Sequence, residues 1–521
     1  MNREVALKKI SENNSTFDII IVGGGATGIG IALEASTRGY KTLLLEKSDF
    51  TKSTSSKSTK LVHGGVRYLA QGDLGLVREA CVERGLLLQN APHLVKNQSF
   101  VIPTFNWFDE VMYTVGLTFY DLLAGRYSLG RSLRISKSKA IKHLPTLNSK
   151  IITAGVLYHD GQFDDSRLAI NALQTAVEKG AVVINYMSVN GLMKDENGIV
   201  NGVEAFDEER KDTLYIYGKA VINATGVFAD DLLQMDCPSK RNTIRSSQGV
   251  HLVLDRSFLP GDSALMIPKT DDGRVLFAVP WHGKVVVGTT DTPIDKPSLE
   301  PIALDNEIEF ILKTTGKYLT KTPTREDVLS FFAGLRPLAA PKNGEAKTKE
   351  ISRSHKIFIS QSQLFTMIGG KWTTFRRMAQ DMIDKIEKTK GWDRTKTATK
   401  HLKLHGYIKN IDLNDPLYFY GSDKAQIISL QETNTAYKQM ISEKLNVCEA
   451  QVVWAVHHEM ARTVEDFLSR RVRCLLLDAK ESVLMAPKVS EIMARELGRD
   501  GTWAKDQVTE FENIAKNYIL N

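Results

Sequence analysis

The sequence predicts an α/β protein with a parallel-sheet domain assembled from separated chain segments, a second domain built on an antiparallel sheet, and a helical C-terminal domain. Three observations predict it. A strand, a glycine turn, a helix and a second strand succeed one another over Phe17–Glu46. Residues 241–300 are strand-rich, with turn residues between the runs. From 411 to 521 the apolar spacing is helical.

The first stretch is the most informative. Ile19-Ile20-Ile21-Val22 reads as a buried strand, Gly23-Gly24-Gly25-Ala26-Thr27-Gly28 as a turn, and Thr42–Leu45 as a second strand ending on Glu46. This is the Rossmann-like context that makes a G-x-G-x-x-G match credible for a dinucleotide. Gly23 allows the tight turn, Gly25 lets the backbone approach a pyrophosphate, and Gly28 lets helix and strand pack closely. The helix start supplies N–H groups and positive partial charge to phosphates. Glu46 lies 18 residues past Gly28, the position from which a carboxylate reaches a ribose hydroxyl. The uncharged run Ile19–Leu33 has only 15 residues, too few to span a bilayer.

The remaining elements follow in order. Residues 1–16 read as a polar leader, partly helical, without the apolar core of a secretory signal. A Ser/Thr/Lys-rich loop, Asp49–Lys60, runs into Leu61-Val62-His63-Gly64-Gly65-Val66-Arg67-Tyr68-Leu69. There a histidine, an arginine and a tyrosine surround a glycine pair, which suits a cofactor edge beside an anionic substrate. Residues 73–90 are helical. Trp107–Leu123 carries five aromatic residues, and two readings fit: an interfacial helix and a buried core helix, of which the second is preferred. Residues 131–150 read as a polar connector.

Phe163–Leu168 opens a helix with acidic and serine capping residues. A short strand at Ala181–Ile184 and paired strands at Ile199–Phe206 and Thr213–Tyr217 follow. Ala220–Asn223 then ends a strand at Ala224-Thr225-Gly226, a second point of backbone approach to the dinucleotide. Strands at Gly249–Leu254, Arg274–Val279 and Lys284–Thr289 build the antiparallel wall, with His251 in the first. After a helix near 305–318, Phe332–Pro337 places Arg336 at a strand end, where a guanidinium suits bidentate phosphate binding. Leu364–Ile368, Gly369-Gly370 and Lys371–Thr374 repeat the strand–turn–helix pattern. Residues 391–410 read as a charged linker, and Pro487 as the first position of a helix running to Leu497.

Bulk properties narrow the function classes. Four scattered cysteines show no CxxC or zinc spacing, so neither a metal site nor a disulfide framework is expected. A net charge of +7 over 521 residues suits an anionic substrate or membrane face. No stretch reads as a transmembrane helix. A nucleic-acid-binding module would need a clustered basic–aromatic surface, which the pattern around Arg470, Arg471 and Arg473 does not supply.

Taken together, these stretches resemble the FAD-dependent glycerol-3-phosphate dehydrogenases, within the glycine-oxidase/D-amino-acid-oxidase group. The resemblance is carried by IIIVGGGATGIGIALEASTRGYKTLLLEKSDF, TSSKSTKLVHGGVRYL, FDDSRL, INATGVFADD, VVVGTTDTP, AGLRPL, IGGKWTTFRRMAQ and HHEMARTVEDFLSRRVRCLLLDA. It implies a discontinuous FAD-binding domain over 17–100, 151–240 and 340–390. A substrate or cap domain would take 101–150 and 241–339, and a helical domain 411–521. FAD contacts map onto Gly23, Gly25, Gly28, Glu46, Lys47, Ser55, Ser56, His63, Gly64, Gly65, Ala224, Thr225, Gly226, Gly369, Gly370, Lys371, Thr373 and Thr374. Contacts to sn-glycerol 3-phosphate map onto Arg67, Tyr68, Arg336 and Lys371. Histidine is a better proton acceptor than arginine near neutral pH, which makes His63 the first candidate base and His251 the second.

The implied reaction is oxidation of sn-glycerol 3-phosphate to dihydroxyacetone phosphate, with electrons passed to membrane quinone. The implied location is cytoplasmic, peripheral on the inner face of the membrane, and a homodimer is compatible. Oxygen-using relatives often carry a long middle insertion; none is apparent here, which favours the dehydrogenase over the peroxide-forming oxidase. An NAD-dependent dehydrogenase would share the first glycine motif but has no use for the Ala224–Gly226 and Gly369–Thr374 segments.

Overall fold

In the computed structural model, residues 1–12, 16–70, 72–238, 243–270, 273–340 and 354–520 are described, apart from the side chains of Arg67 and Ala70. Parallel pairing organises the first sheet. Phe17–Val22 lies between Thr42–Leu45 and the second half of Asp212–Asn223, with Ile21 opposite Leu44 on one side and Ile222 on the other. Val182–Ile184 extends the sheet beyond Thr42–Leu45, and Phe365–Ile368 beyond Asp212–Asn223. These strands are near-continuous apolar runs because helices cover the sheet. Ala26–Thr37 packs between Asp165–Glu178 and Phe375–Lys390. The first half of Asp212–Asn223 pairs instead with Val200–Asp207, which pairs with Met187–Lys194, in an antiparallel meander.

Among the described residues, the second sheet has ten strands. Its wall runs Ile244–Asp255, Lys284–Gly288, Leu276–Trp281, Ala264–Ile267, Val95–Thr104, Ala154–Phe163 and Leu61–Val62, with Val328–Ala339 on the other side of Ile244–Asp255. All pairings are antiparallel except Ala264–Ile267 with Val95–Thr104. Three of its strands draw on chain expected in the cofactor domain: Leu61–Val62 within 17–100, Val95–Thr104 across the boundary at residue 100, and Ala154–Phe163 within 151–240; the last two pair with each other. A ten-residue ladder joins them, from Val95 opposite Phe163 to Thr104 opposite Ala154. Strand type is visible in sequence, but the partner of a strand is chosen by long-range pairing.

Four other expectations change. The leader is helical as expected, over Arg3–Ser11, but it is docked: Ala6, Leu7 and Ile10 are buried against the first sheet while Arg3 Nη2 pairs with Asp207 Oδ1 at 2.7 Å. The 131–150 connector contains a strand, Leu133–Ser136, paired with Ala154–Phe163, and a helix, Lys137–His143. Pro487 lies inside the helix Ala479–Leu497. That helix starts earlier, at the Asp478 cap, and buried Met485, Ala486 and Val489 hold it together through the proline. Trp107–Ala124 is a helix as expected, but most of its large apolar side chains are exposed, against the preferred core reading.

The C-terminal helices dock on the face of the antiparallel wall that carries His251, farther along the strands. Val253, Trp281, Val286 and Phe332 share one apolar cluster with Val452, Phe467, Leu475 and Met485. Arg470, Arg471 and Arg473 are buried. Arg471 makes a bidentate pair with Asp49 (2.8 and 2.9 Å), and Arg473 Nη2 reaches Asp164 Oδ2 at 2.7 Å. Burial alone would raise the Asp49 pKa, but the Arg471 and Arg470 guanidiniums reverse that and hold it well below the usual carboxylate range.

Candidate active site

The two sheets meet around one large cavity of about 490 Å³, lined from segments spread between Val22 and Met378. Its floor is the glycine turn. Gly23 has φ +111°, and a Cβ there would lie 2.7 Å from the Ala224 carbonyl oxygen, so turn and strand end are in backbone contact. A Cβ on Gly28 would collide with the Gly23 carbonyl. The helix begins at Ala26, whose N–H donates to Ser55 Oγ at 2.9 Å. Glu46 lines the cavity and its carboxylate accepts from the N–H groups of Gly24 (2.6 Å) and Ser48 (2.9 Å). Burial raises the Glu46 pKa, with those two N–H groups opposing it.

Across the cavity, Gly369 and Gly370 both have positive φ and lead into the turn Trp372–Thr374 and the helix Phe375–Lys390. This helix start ties two other segments together. Trp372 Nε1 donates to the Ser55 carbonyl at 2.8 Å, and the His63 N–H donates to Thr373 Oγ1 at 3.2 Å. Lys371 Nζ sits 4.4 Å from the centre of the Tyr68 ring. Ala224, Thr225 and Gly226 complete the cofactor side, with Thr225 Oγ1 donating to Asn223 Oδ1 at 2.7 Å.

The antiparallel wall supplies the polar side chains. His251 faces Phe332 across a stacked ring pair at 4.9 Å, and its Nε2 is 2.9 Å from Thr59 Oγ1. Its Nδ1 is buried and makes no hydrogen bond among the described residues. Burial, then the nearby Arg336 and Lys60 cations, push the His251 pKa well below the ordinary histidine value, so the ring is neutral at physiological pH. Arg336 Nη1 donates to the Gln248 carbonyl at 3.1 Å and pairs with Asp291 Oδ1 at 3.3 Å. Its Nη2 donates to Thr289 Oγ1 and the Thr290 carbonyl, both at 3.0 Å.

The structure brings most of the sequence-predicted residues to this cavity. Gly23, Gly25, Glu46, Lys47, Ser55, His63, Ala224, Thr225, Gly226, Gly369, Gly370, Lys371, Thr373, His251 and Arg336 line it. Five cofactor candidates stand behind the lining. Gly28 packs against the turn, Ser56 is buried with its carbonyl accepting from Lys60 Nζ at 2.6 Å, and Thr374 caps back to the Lys371 carbonyl. Gly64 is tied through its N–H to Tyr120 Oη at 2.7 Å, and Gly65 packs on the Tyr68 ring. Tyr68 reaches the site through Lys371, and the Arg67 side chain lies outside the described residues.

Residues 49–60 contribute more than their composition suggested. Lys60 is fully buried, its Nζ paired with both Asp165 carboxylate oxygens (2.9 and 2.8 Å), and Ser58 Oγ donates to Asp165 at 2.7 Å. This pins Thr59 against His251. The signal was present in FDDSRL, whose second acid is this anchor, but nothing local says that it points at the loop.

The cavity fits FAD by its backbone cradle at Gly23–Ala26, its carboxylate at Glu46 and its second glycine turn at Gly369-Gly370. Comparison with known proteins agrees. Residues 18–369 match the FAD dependent oxidoreductase family, and residues 360–504 match the C-terminal domain of alpha-glycerophosphate oxidase. The mitochondrial glycerol-3-phosphate dehydrogenase of Schizosaccharomyces pombe is 35% identical, over 99% of this chain and 89% of its own. The human mitochondrial glycerol-3-phosphate dehydrogenase is 37% identical, over 97% of this chain and 74% of its own. The crystal structure of glycerol-3-phosphate dehydrogenase from Bacillus halodurans complexed with FAD superposes with a TM-score of 0.81 at 28% identity. That match covers 99% of this chain and 97% of the other. The chain belongs to the FAD-dependent glycerol-3-phosphate dehydrogenase family, and its cofactor is FAD.

Proposed function

We propose that the protein oxidises sn-glycerol 3-phosphate to dihydroxyacetone phosphate and delivers the electrons to a membrane quinone. The observation that carries the reading is one cavity holding a dinucleotide cradle, two histidines, His63 and His251, and several cations, Arg336 and Lys371 among them. FAD, when bound, supplies the acceptor for the hydride leaving C2. The chain must hold the phosphate, orient C2 and take the C2 hydroxyl proton. Arg336 and Lys371 bind the phosphate dianion by charge-assisted hydrogen bonds, and Arg67 joins them by its place in the motif. Ion pairing with Asp291 orients the Arg336 guanidinium before substrate arrives.

The proton goes to a neutral imidazole nitrogen of His63 or His251. His251 is neutral and so has a lone pair to offer, although burial, Arg336 and Lys60 make its imidazolium costly; the departing hydroxyl proton leaves an oxygen whose developing charge Lys371 stabilises. Around this chemistry the protein works as a peripheral enzyme on the inner face of the cytoplasmic membrane. The exposed apolar face of Trp107–Ala124 supports that placement. A second reading, an oxidase releasing hydrogen peroxide, is favoured by the family match of residues 360–504 to the oxidase C-terminal domain.

One anaerobic experiment separates the readings. Adding sn-glycerol 3-phosphate to the purified yellow protein should bleach the flavin absorbance, and a soluble quinone should restore it faster than oxygen does. No bleaching would exclude the substrate. Faster recovery with oxygen, with stoichiometric peroxide, would make the protein an oxidase.

A further inference from the structure

The helical C-terminal domain has an apolar seat on the wall, and several of its polar contacts gather on one loop. Every charged residue of the loop 49–60 is paired with a residue outside it. Asp49 pairs with Arg470 and Arg471, and Lys60 with Asp165. Lys52 Nζ pairs with Glu465 Oε2 at 2.7 Å, and Lys57 Nζ with Glu300 Oε2 at 2.6 Å. Glu465 is fixed in turn by Arg470 Nη1 at 2.7 Å. Burial alone would raise the Glu465 pKa, but Arg470 and Lys52 hold it well below the usual carboxylate range, so this clasp is charged at physiological pH. Glu300 accepts a second hydrogen bond, from Tyr518 Oη at 2.7 Å, and Tyr518 is buried in the short turn Lys516–Tyr518. Asp49 and Lys52 thus meet the C-terminal domain directly, and Lys57 meets it through Glu300.

The loop held this way joins the glycine turn to the wall. Residues 51–55 and 57–59 line the cavity. On the cofactor side, Ser55 Oγ accepts the Ala26 N–H at the start of the first helix. On the wall side, Thr54 Oγ1 donates to the Leu335 carbonyl at 2.7 Å. A Cβ on Gly334 would lie 2.7 Å from the Lys57 carbonyl oxygen, so the missing side chain makes room for the loop on the strand that carries Arg336. Glu465, Glu300 and Tyr518 clasp the loop from outside, and none of them lines the cavity. The turn Asp466–Arg471 is π-helical, a geometry that occurs mostly at functional sites. Its Asp466 Oδ1 accepts from Tyr186 Oη at 2.7 Å, next to the cavity-lining Met187 and Ser188. Buried ion pairs carry a desolvation cost and are weak evidence of stability. Apolar contact through Val253, Phe332, Phe467 and Leu475 already seats the domain. Ion pairs concentrated on one cavity-lining loop therefore fix the loop.

We propose that the C-terminal domain is a latch for FAD, in which Glu465 and Tyr518 are positioning residues that hold the loop 49–60 closed on the bound cofactor. Release of FAD then requires the loop to part from Glu465 and Glu300. By linkage, bound FAD tightens the C-terminal contacts in return.

The test follows FAD release from the purified holoenzyme, read as the rise of free-flavin fluorescence after dilution. Glu465→Gln combined with Tyr518→Phe should release FAD about tenfold or more faster than wild type, as when one partner of a buried charge pair is removed. Tyr518→Phe alone removes one hydroxyl and keeps the buried ring, and should speed release about threefold. It decides the question if the double variant does not fold. The second readout is amide hydrogen exchange of the wild-type protein with and without FAD. Bound FAD should slow exchange in residues 464–471 and 514–520 more than in the helix Ala479–Leu497 of the same domain. A domain that only packs on the wall would not show that difference. Release at the wild-type rate from either folded variant would overturn the proposal. So would exchange in 464–471 and 514–520 that is indifferent to FAD, or that changes equally throughout the domain.

Discussion

The floor and the wall of the cavity are built by different means. The floor is backbone: Gly23, Gly28 and Gly369-Gly370 matter for what they lack, because turn, helix and strand ends approach within contact distance. The wall is side chain: His251 and Arg336 come from separate strands set together by the register of the antiparallel sheet, and Thr59 and Lys371 reach the same cavity from a loop and from a turn of the other sheet. In that register His251 stands opposite both Gly288 and Phe332, and Arg336 opposite Ser247. A backbone cradle is a local object that one motif specifies. A side-chain constellation is a long-range object whose members need not be near one another in the chain.

The comparison can be broken, starting with the largest expected effect. Gly23→Val should yield protein without flavin, because its Cβ would press on the Ala224 carbonyl at a φ that valine avoids. The check is flavin absorbance per chain, and a full complement of FAD in that variant would show that the floor tolerates side chains. In the wall, Arg336→Ala should cut kcat/KM for sn-glycerol 3-phosphate by about 10³-fold, through loss of a charge-assisted phosphate contact. Turnover of glycerol should fall much less; equal losses on both substrates would take Arg336 out of the phosphate site.

Smaller effects test the proton acceptor. His251→Ala or His63→Ala should slow anaerobic flavin reduction by about 10²-fold with FAD retained, and normal rates in both would remove histidine as the base. The pH profile distinguishes the two. A base must be unprotonated to act, so activity falls as pH drops through its pKa. Because burial, Arg336 and Lys60 lower the His251 pKa, its acid limb lies well below pH 6.5, the ordinary histidine value, and the rate is flat above it. An acid limb at or above pH 6.5 would point away from His251. Least visible to activity is the C-terminal dock. Arg471→Ala leaves the buried Asp49 with one fewer guanidinium, and should lower unfolding stability by about 3–5 kcal/mol while kinetics at 25 °C change little. An unchanged thermal midpoint would show that Arg470 suffices.

The same division explains what could be read in advance. The strand–turn–helix of Phe17–Thr37, the paired strands at 199–217 and the turn at 369–374 were legible because periodicity and glycine placement are local properties; the strand Met187–Lys194 beside that pair was not. The strands Val95–Thr104 and Ala154–Phe163 were not legible at all, and the domain bounds drawn through them missed their pairing, since a strand does not carry its partner's address. The loop 49–60 reads as polar with cofactor contacts at Ser55 and Ser56, but nothing local shows that Asp165 and Arg471 bury its charges at Lys60 and Asp49. Trp107–Ala124 was visible as a helix, while its seam of exposed apolar residues appeared only once Tyr120 was seen bonded inward.

By itself, the sequence determined the cofactor cradle and the family, because glycine spacing and short motifs encode backbone shape directly. Only the tertiary structure decided that Thr59 meets His251, that Asp291 orients Arg336, that three basic C-terminal residues are buried, and that one apolar helix faces outward. Those outcomes depend on which surfaces are left after long-range pairing, a competition that no single segment settles alone.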